Sequence, residues 1–378
     1  FSIRILAPAD IEPRRMLRVS LICLLLISST ESRVKFTYSE FLDGSDLKTV
    51  SEADFACPQG CMVYSATENV NLVILNKVTK NEVTNLNSLA NNNAGDRSYL
   101  FGMTLPSATY TLKEKNGFTG MIFGLYVVAN NAPNYGQSLR VAEAFDWKTF
   151  SSSSGMITMM TRGTGIRMVS PNCDGSTEMT PQVFAAGYDA PTKDECWAVY
   201  KANSLSHAQQ SQIDVIGPIA TIRFDGLQSG TAGSVKVSGD IMTDMSDTRN
   251  SLTISSPGFH GCFHASANLY QYNMNKLDRR FRSDLDQGVT IRVRSKLWIT
   301  VESDALYISG LQDQTLKLMG TEEYSPPVPF SVNKVDVHLT WQRLNQNSYF
   351  AIQMDATKGA GTSSFLLSVI ASIFALIR

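Results

Sequence analysis

Short runs rich in Val, Ile, Thr, Tyr and Phe recur along the chain, split by Gly, Asn, Ser and Pro, and helix signals are scarce. Runs of this length cannot bury a helix face. They suit strands whose alternate side chains point to opposite faces, so the sequence predicts an all-β fold. The expected strands include Met62 to Ser65, Asn69 to Val78, Tyr99 to Leu105, Thr109 to Lys115, Thr119 to Val128, Met156 to Thr161, Ile166 to Val169, Ile219 to Phe224 and Asn250 to Ser255. Pro106 and the Asn116-Gly117 pair mark turns between them. Leu269, Leu277, Phe281 and Leu285 are spaced to line one side of a helix, against which Asn273 and Asn275 count.

The termini set the expected boundaries. Residues 1–15 carry three arginines and no apolar period, and are read as an upstream segment. From Met16 the pattern is that of a signal peptide, 16–32, with Arg18, an apolar run Leu21 to Ile27 and small residues up to Ser32. About 320 residues then remain, enough for two domains of ordinary size. The stretch Ser170 to Pro191, with Pro171, Gly175, Pro181 and Pro191, reads as their join. The expected β-sandwiches are therefore 33–170 and 171–355, followed by a tail, 356–378.

That tail is apolar from Phe365 to Ile377 except for two serines, behind small and polar residues. About 13 apolar residues are fewer than the roughly 20 that span a bilayer, but they match a glycosylphosphatidylinositol (GPI) attachment signal. Asp355 begins one triplet of small residues suited to lipid attachment, and Gly359 begins another with a shorter spacer. A single-pass helix would need nearly all of Gly359 to Ile377 and would leave only Arg378 beyond it.

Cys23 leaves with the signal peptide, so five cysteines remain in an oxidising compartment. Cys57 and Cys61 flank a Pro-x-Gly turn able to bring them within bonding range, and are the favoured disulfide. Cys173 and Cys196 enclose a Pro, Gly and Asp-rich segment and are the next pair, with Cys262 left unpaired, buried or joined to another chain. His260, Cys262 and His264 stand at alternate positions, which on a strand would put imidazole and thiolate groups on one face, a competent set for zinc or copper. Gly258 and Gly261 favour a turn there, and no metal is expected.

A net charge of -1 argues against a nucleic-acid binder, which needs a basic field. The run Arg279, Arg280 and Arg282 is hemmed in by Asp278, Asp284 and Asp286 and reads as a solvated mixed-charge face. Four histidines are present, with no H-E-x-x-H, no G-x-S-x-G and no glycine loop before a helix. Ser151 to Ser154 read as a flexible linker or O-glycan acceptors.

C-W-A-V-Y at Cys196, I-R-F-D-G at Ile222, and a polar turn leading into a strand at Ser153 and again at Asn250 resemble the ordered landmarks of CUB domains. More specifically, the chain is similar to the divergent CUB-like modules of secreted nematode proteins. The resemblance covers about half the mature chain and implies two jelly-roll-like sandwiches, an extracellular setting and, for many members, a link to responses against pathogens. The regular four-cysteine CUB pattern is not found here. Of the calcium-binding acids only Asp225 has a counterpart, which an Asp-Gly turn explains equally, so no cofactor is required and calcium stays open.

The expected function is non-enzymatic recognition at the cell surface of an extracellular protein or glycan, with the lipid anchor in the outer leaflet of the plasma membrane and no nucleic acid. A hydrolase with dispersed catalytic residues and a single-pass adhesion protein are the alternatives. Phosphatidylinositol-specific phospholipase is expected to free the protein from intact cells. Recovery of Phe365 to Arg378 on the surface form by mass spectrometry would contradict that outcome, because lipid exchange removes the segment.

Overall fold

Alternation of apolar and polar residues produces strands along nearly the whole of the chain described by the structure, a computed structural model. It describes residues 39–43 and 52–358, apart from 116–123, 133–134, 174–178, 189–195, 203–207, 242–245, 248, 257–258, 260–275, 312–313, 322 and 343–347. The expected signal peptide, the tail from Gly359 and the His260, Cys262 and His264 set lie outside the described residues. Among those described, the strands form an all-β arrangement of four sheets, with four, four, six and eleven strands. The sheets are mixed: Leu139–Ala142 runs parallel to Met156–Thr161, and Ser211–Val215 parallel to Ser251–Ser255, among antiparallel neighbours. No helix among the described residues is long and apolar enough to cross a membrane.

The two four-stranded sheets are built from strands between Ser39 and Ala129 and enclose one apolar core, including Phe55, Leu72, Ile74, Leu112 and Leu125. Where the chain passes from Glu52–Cys57 in one of these sheets to Cys61–Tyr64 in the other, a disulfide joins Cys57 to Cys61 with their Cα atoms 5.2 Å apart. Gly60 makes that turn at a φ of 86°, a conformation that L side chains adopt only under strain. Cys196 is disulfide-bonded as well. Cys262 and the Cys173 side chain lie outside what the structure describes.

The six- and eleven-stranded sheets enclose a second core, with Met159, Val183 and Ile222 on one side and Met168, Ile213 and Val237 on the other. The join expected at Ser170 and Pro171 is corrected here. The strand Ile166–Cys173 runs through it, and both larger sheets pair strands from before and after it. Pro171 is tolerated inside the strand because the register shifts there, between Val169 and Asn172, with Ser170 at a φ of 49°. A bulge is one of the few places where a sheet accepts a residue without an N–H. The smaller sheets end at Ala129, yet Tyr99–Leu100 crosses over to pair with Leu139–Ala142. A further cluster, including Tyr64, Tyr126, Leu139, Met160 and Ile219, packs the two pairs of sheets together. Arg162 adds a polar clasp, its guanidinium 3.0 Å from Glu143 and 3.3 Å from Glu68 and donating to the Ala90 carbonyl.

The largest correction concerns Lys276–Trp298, a 23-residue strand where the apolar spacing suggested a helix. Leu277, Phe281 and Leu285 are four residues apart, and a spacing of four returns to the same face with a period of 2 as well as about 3.6. The intervening Asp278, Arg280 and Asp284 are exposed, which settles the period as that of a strand. Within it the basic run divides. Arg280 and Arg282 sit outward against Asp336, whereas Arg279 is buried and reaches Asp214.

Asp214 is wholly buried, and Arg167, its cross-strand partner, grips it with two bonds of 2.8 Å; Arg279 approaches at 3.3 Å. Removing one member of a buried ionic cluster leaves the others desolvated without their counter-charge. Asp214→Ala is expected to cost about 3–5 kcal/mol, read as a lower urea midpoint, with surface control Asp336→Ala changing stability by less than about 1 kcal/mol.

Candidate functional site

A cleft of about 340 Å3 opens where the chain changes sheets between the strands Lys148–Ser152 and Met156–Thr161. The first strand is at the edge of the eleven-stranded sheet and the second is inside the six-stranded one. Small residues make the corner possible. Gly155 takes a φ of 78°, and the Ser154 N–H donates to Ser152 Oγ at 3.2 Å, the local side-chain bond by which serine stabilises turns. Ser151 to Ser154, read from the sequence as linker, thus form a bonded corner, and Ser152 and Ser154 line the cleft.

The opposite wall comes from Gln137 and Ser138, which lead into the strand Leu139–Ala142. Two phenols hold its backbone in place. Tyr64 donates to the Gln137 carbonyl at 2.7 Å, and Tyr188 to the Ser138 carbonyl at 3.0 Å. Tyr188 is anchored in turn, its own N–H donating to the Tyr126 hydroxyl at 3.0 Å. Met156, Ile157 and the Tyr188 ring supply the apolar lining.

Arg140 is the charged group of the cleft. Its guanidinium carbon stands 3.9 Å from the centre of the Tyr99 ring and 5.7 Å from that of Phe150, and one N–H reaches the Ser151 carbonyl at 3.4 Å. Stacking on rings fixes the plane of an arginine while its N–H edges stay available. Among the described residues no carboxylate lies within ion-pair distance of it. Asp96 feels its charge, but that carboxyl is held below its ordinary range chiefly by bonds from the Ser98 hydroxyl and N–H. Among the described residues the lining holds no carboxylate, histidine or thiol.

The residues singled out from the sequence lie elsewhere. Asp225 has both carboxylate oxygens occupied, by Arg223 at 2.8 Å and Gln182 at 2.6 Å, and Gly226 follows at a φ of 80°. That is the Asp-Gly turn, with the acid neutralised by an arginine. Among the described residues no cluster of three metal-ligating side chains occurs. The C-W-A-V-Y segment is core: Trp197 packs edge-on to Phe259 and beneath the Arg294 guanidinium, and Tyr200 is buried on Ser211. Asp355 is buried inside the strand Tyr349–Lys358, where Ser251 and Gln353 donate to it. Loop aromatics are exposed outside the cleft, Phe145 at 86% and Trp147 at 44%, with the Lys236 ammonium 5.3 Å from the Trp147 ring.

Nothing in the sequence marks Arg140 beyond an arginine alternating with apolar residues in L-R-V-A, since its rings, Tyr99 and Phe150, lie 41 residues before it and 10 after. The available signal was the serine-rich turn leading into the strand Met156–Thr161.

No family model matches the chain, and neither does any curated protein. Solved structures do match, among them that of an uncharacterized protein from Listeria monocytogenes EGD-e, 11% identical over 82% of this chain at a TM-score of 0.19. The chain spans 29% of that protein's length, and a likeness this low carries no argument.

Burial raises the Tyr188 phenol from 10.0 to about 12, partly countered by Arg140, and raises those of Tyr64, Tyr200 and Tyr349 in the same direction. A phenol whose folded pKa lies above its unfolded one stabilises the fold fully below the unfolded value, and the contribution is lost as pH rises toward the folded value. Urea midpoints are therefore expected to fall between about pH 10 and pH 12 with no tyrosine contribution to the change below about pH 9, and Tyr188→Phe is expected to make that alkaline fall shallower.

Proposed function

We propose that this chain is a non-enzymatic recognition protein of the cell surface that captures an extracellular ligand, a glycan or a protein bearing one, in the Arg140 cleft. The observation that supports it is the cation Arg140, held by two rings and one long hydrogen bond, gathered with Gln137, Ser152 and Ser154 in one open cleft on a β scaffold. Binding sites of this kind combine a few fixed polar groups with apolar lining and need no catalytic residues. The exposed Phe145 and Trp147 point the same way, since recognition surfaces are rich in large aromatics.

Display on the outer leaflet by a lipid anchor is part of this reading, and of its two candidate attachment residues, Asp355 and Gly359, the reading takes the second. Asp355 is paired on both sides, with Ser251 and with Arg292, and cleavage there would remove Ala356, Thr357 and Lys358 from the sheet. Gly359 follows the last residue of that strand, so the reading places the lipid at Gly359. The CUB-like resemblance adds a jelly-roll ancestry and a role in responses to pathogens to the same proposal.

The test is a cleft-filling substitution at an exposed position. Detergent-solubilised full-length protein is applied to an array of glycans and extracellular proteins beside its Ser154→Trp variant. Loss of about tenfold or more of the captured signal, at an unchanged melting temperature, is the expected result. Equal capture by both forms would contradict the proposal.

A further inference from the structure

We infer that the cleft takes an acidic saccharide, with its carboxylate on Arg140; this deepens the reading of the cleft as a binding site and rests on it. The argument begins with the inventory of protons. Of the five N–H groups of Arg140, one is directed to the Ser151 carbonyl at 3.4 Å, a long bond, and the rings of Tyr99 and Phe150 pack against the guanidinium. The in-plane edges remain for a two-oxygen acceptor, the geometry in which guanidinium meets carboxylate.

The neutral groups beside it are also donors. The Gln137 carbonyl is occupied by Tyr64, while its side-chain amide has no partner among the described residues. Ser152 and Ser154 place their hydroxyls 2.8 Å apart, so they share one proton between them, and the second has only the Met156 carbonyl at 3.4 Å. A ligand that satisfies these groups must be rich in acceptors and carry negative charge near Arg140.

Charge matching selects among such ligands. One guanidinium balances one carboxylate, whereas a phosphate monoester brings nearly two charges, and among the described residues the lining offers no second cation. Sugar hydroxyls can accept from Gln137 and the serine pair, and the apolar face of a sugar ring suits Met156 and Tyr188. The volume, about 340 Å3, is at the small end for ligand sites and suits the terminal residue of a chain.

Calorimetric titration of the full-length protein at low salt tests this with glucuronate, N-acetylneuraminate, glucose, acetate and inorganic phosphate as probes. At least one acidic sugar is expected to bind about tenfold or more tightly than glucose and than acetate, and to weaken as sodium chloride is raised. Arg140→Gln is expected to bring the acid-to-neutral ratio to about one. Arg140 also packs on two rings, so Gln137→Ala, at an exposed position, provides a second variant, expected to weaken the acidic sugar several-fold with the melting temperature unchanged.

Glucose binding as tightly as the acidic sugars would overturn the charge assignment while leaving the cleft as a binding site. Phosphate binding more tightly than any sugar would overturn the saccharide in favour of a phosphorylated ligand. No heat from any probe at millimolar concentration would overturn the inference. Acidic-sugar binding retained in full by Ser154→Trp would overturn the cleft itself, and with it the function proposed above.

Discussion

The carboxylate of Asp214 is the constraint around which the larger pair of sheets is arranged. A charge without solvent contact is tolerated only when it is matched at bonding distance, and here the match comes from two other strands, through Arg167 and Arg279. Sliding the strand Ser211–Val215 by one residue would turn Asp214 to the opposite face and leave both arginines buried against apolar neighbours. Apolar side chains alone, which exchange for one another at modest cost, would hold that register far less strictly. The cluster therefore contributes more to which pairing forms than to net stability, since much of its Coulombic attraction is offset by desolvation.

Much of the strand pattern can be read from the chain because alternation is local. The runs at Met62, Thr109, Met156, Ile219 and Asn250 appear within a residue or two of their expected limits. What failed depends on partners distant in sequence. Pro171 looked like a linker because only the neighbouring strand reveals a bulge able to hold it. Leu277, Phe281 and Leu285 fit two periods equally, and the choice was made by pairing with Glu323–Gln342, far along the chain. Arg279 could not be separated from Arg280 and Arg282 until Asp214, 65 positions earlier, was seen opposite it.

The candidate site was illegible for the same reason. Its elements come from a turn, an edge strand and the end of a parallel strand, and what makes Arg140 distinctive is the pair of rings around it and, among the described residues, the lack of a carboxylate within ion-pair distance. Neither property is carried by the residue's own neighbours in sequence. The polar turn was visible, but its meaning depended on the chain changing sheets there. Tyr64 and Tyr188 then give the cleft its rigidity: each sits in an apolar cluster and extends one hydroxyl to a backbone carbonyl, so the wall is fixed by packing that reaches the smaller sheets.

The strand Tyr349–Lys358 has a mechanical consequence. It is flanked on one side by ten register pairs with Lys276–Trp298 and on the other by five with Ser251–Ser255, all antiparallel. Tension applied along the chain at Lys358 acts lengthwise on this strand, so the ladders on both sides resist in shear and must give way together. Bonds loaded one at a time, as when an edge strand is peeled, would open at far lower force. A molecule held by its C-terminal end would thus transmit load straight into the middle of its widest sheet and keep its shape while doing so.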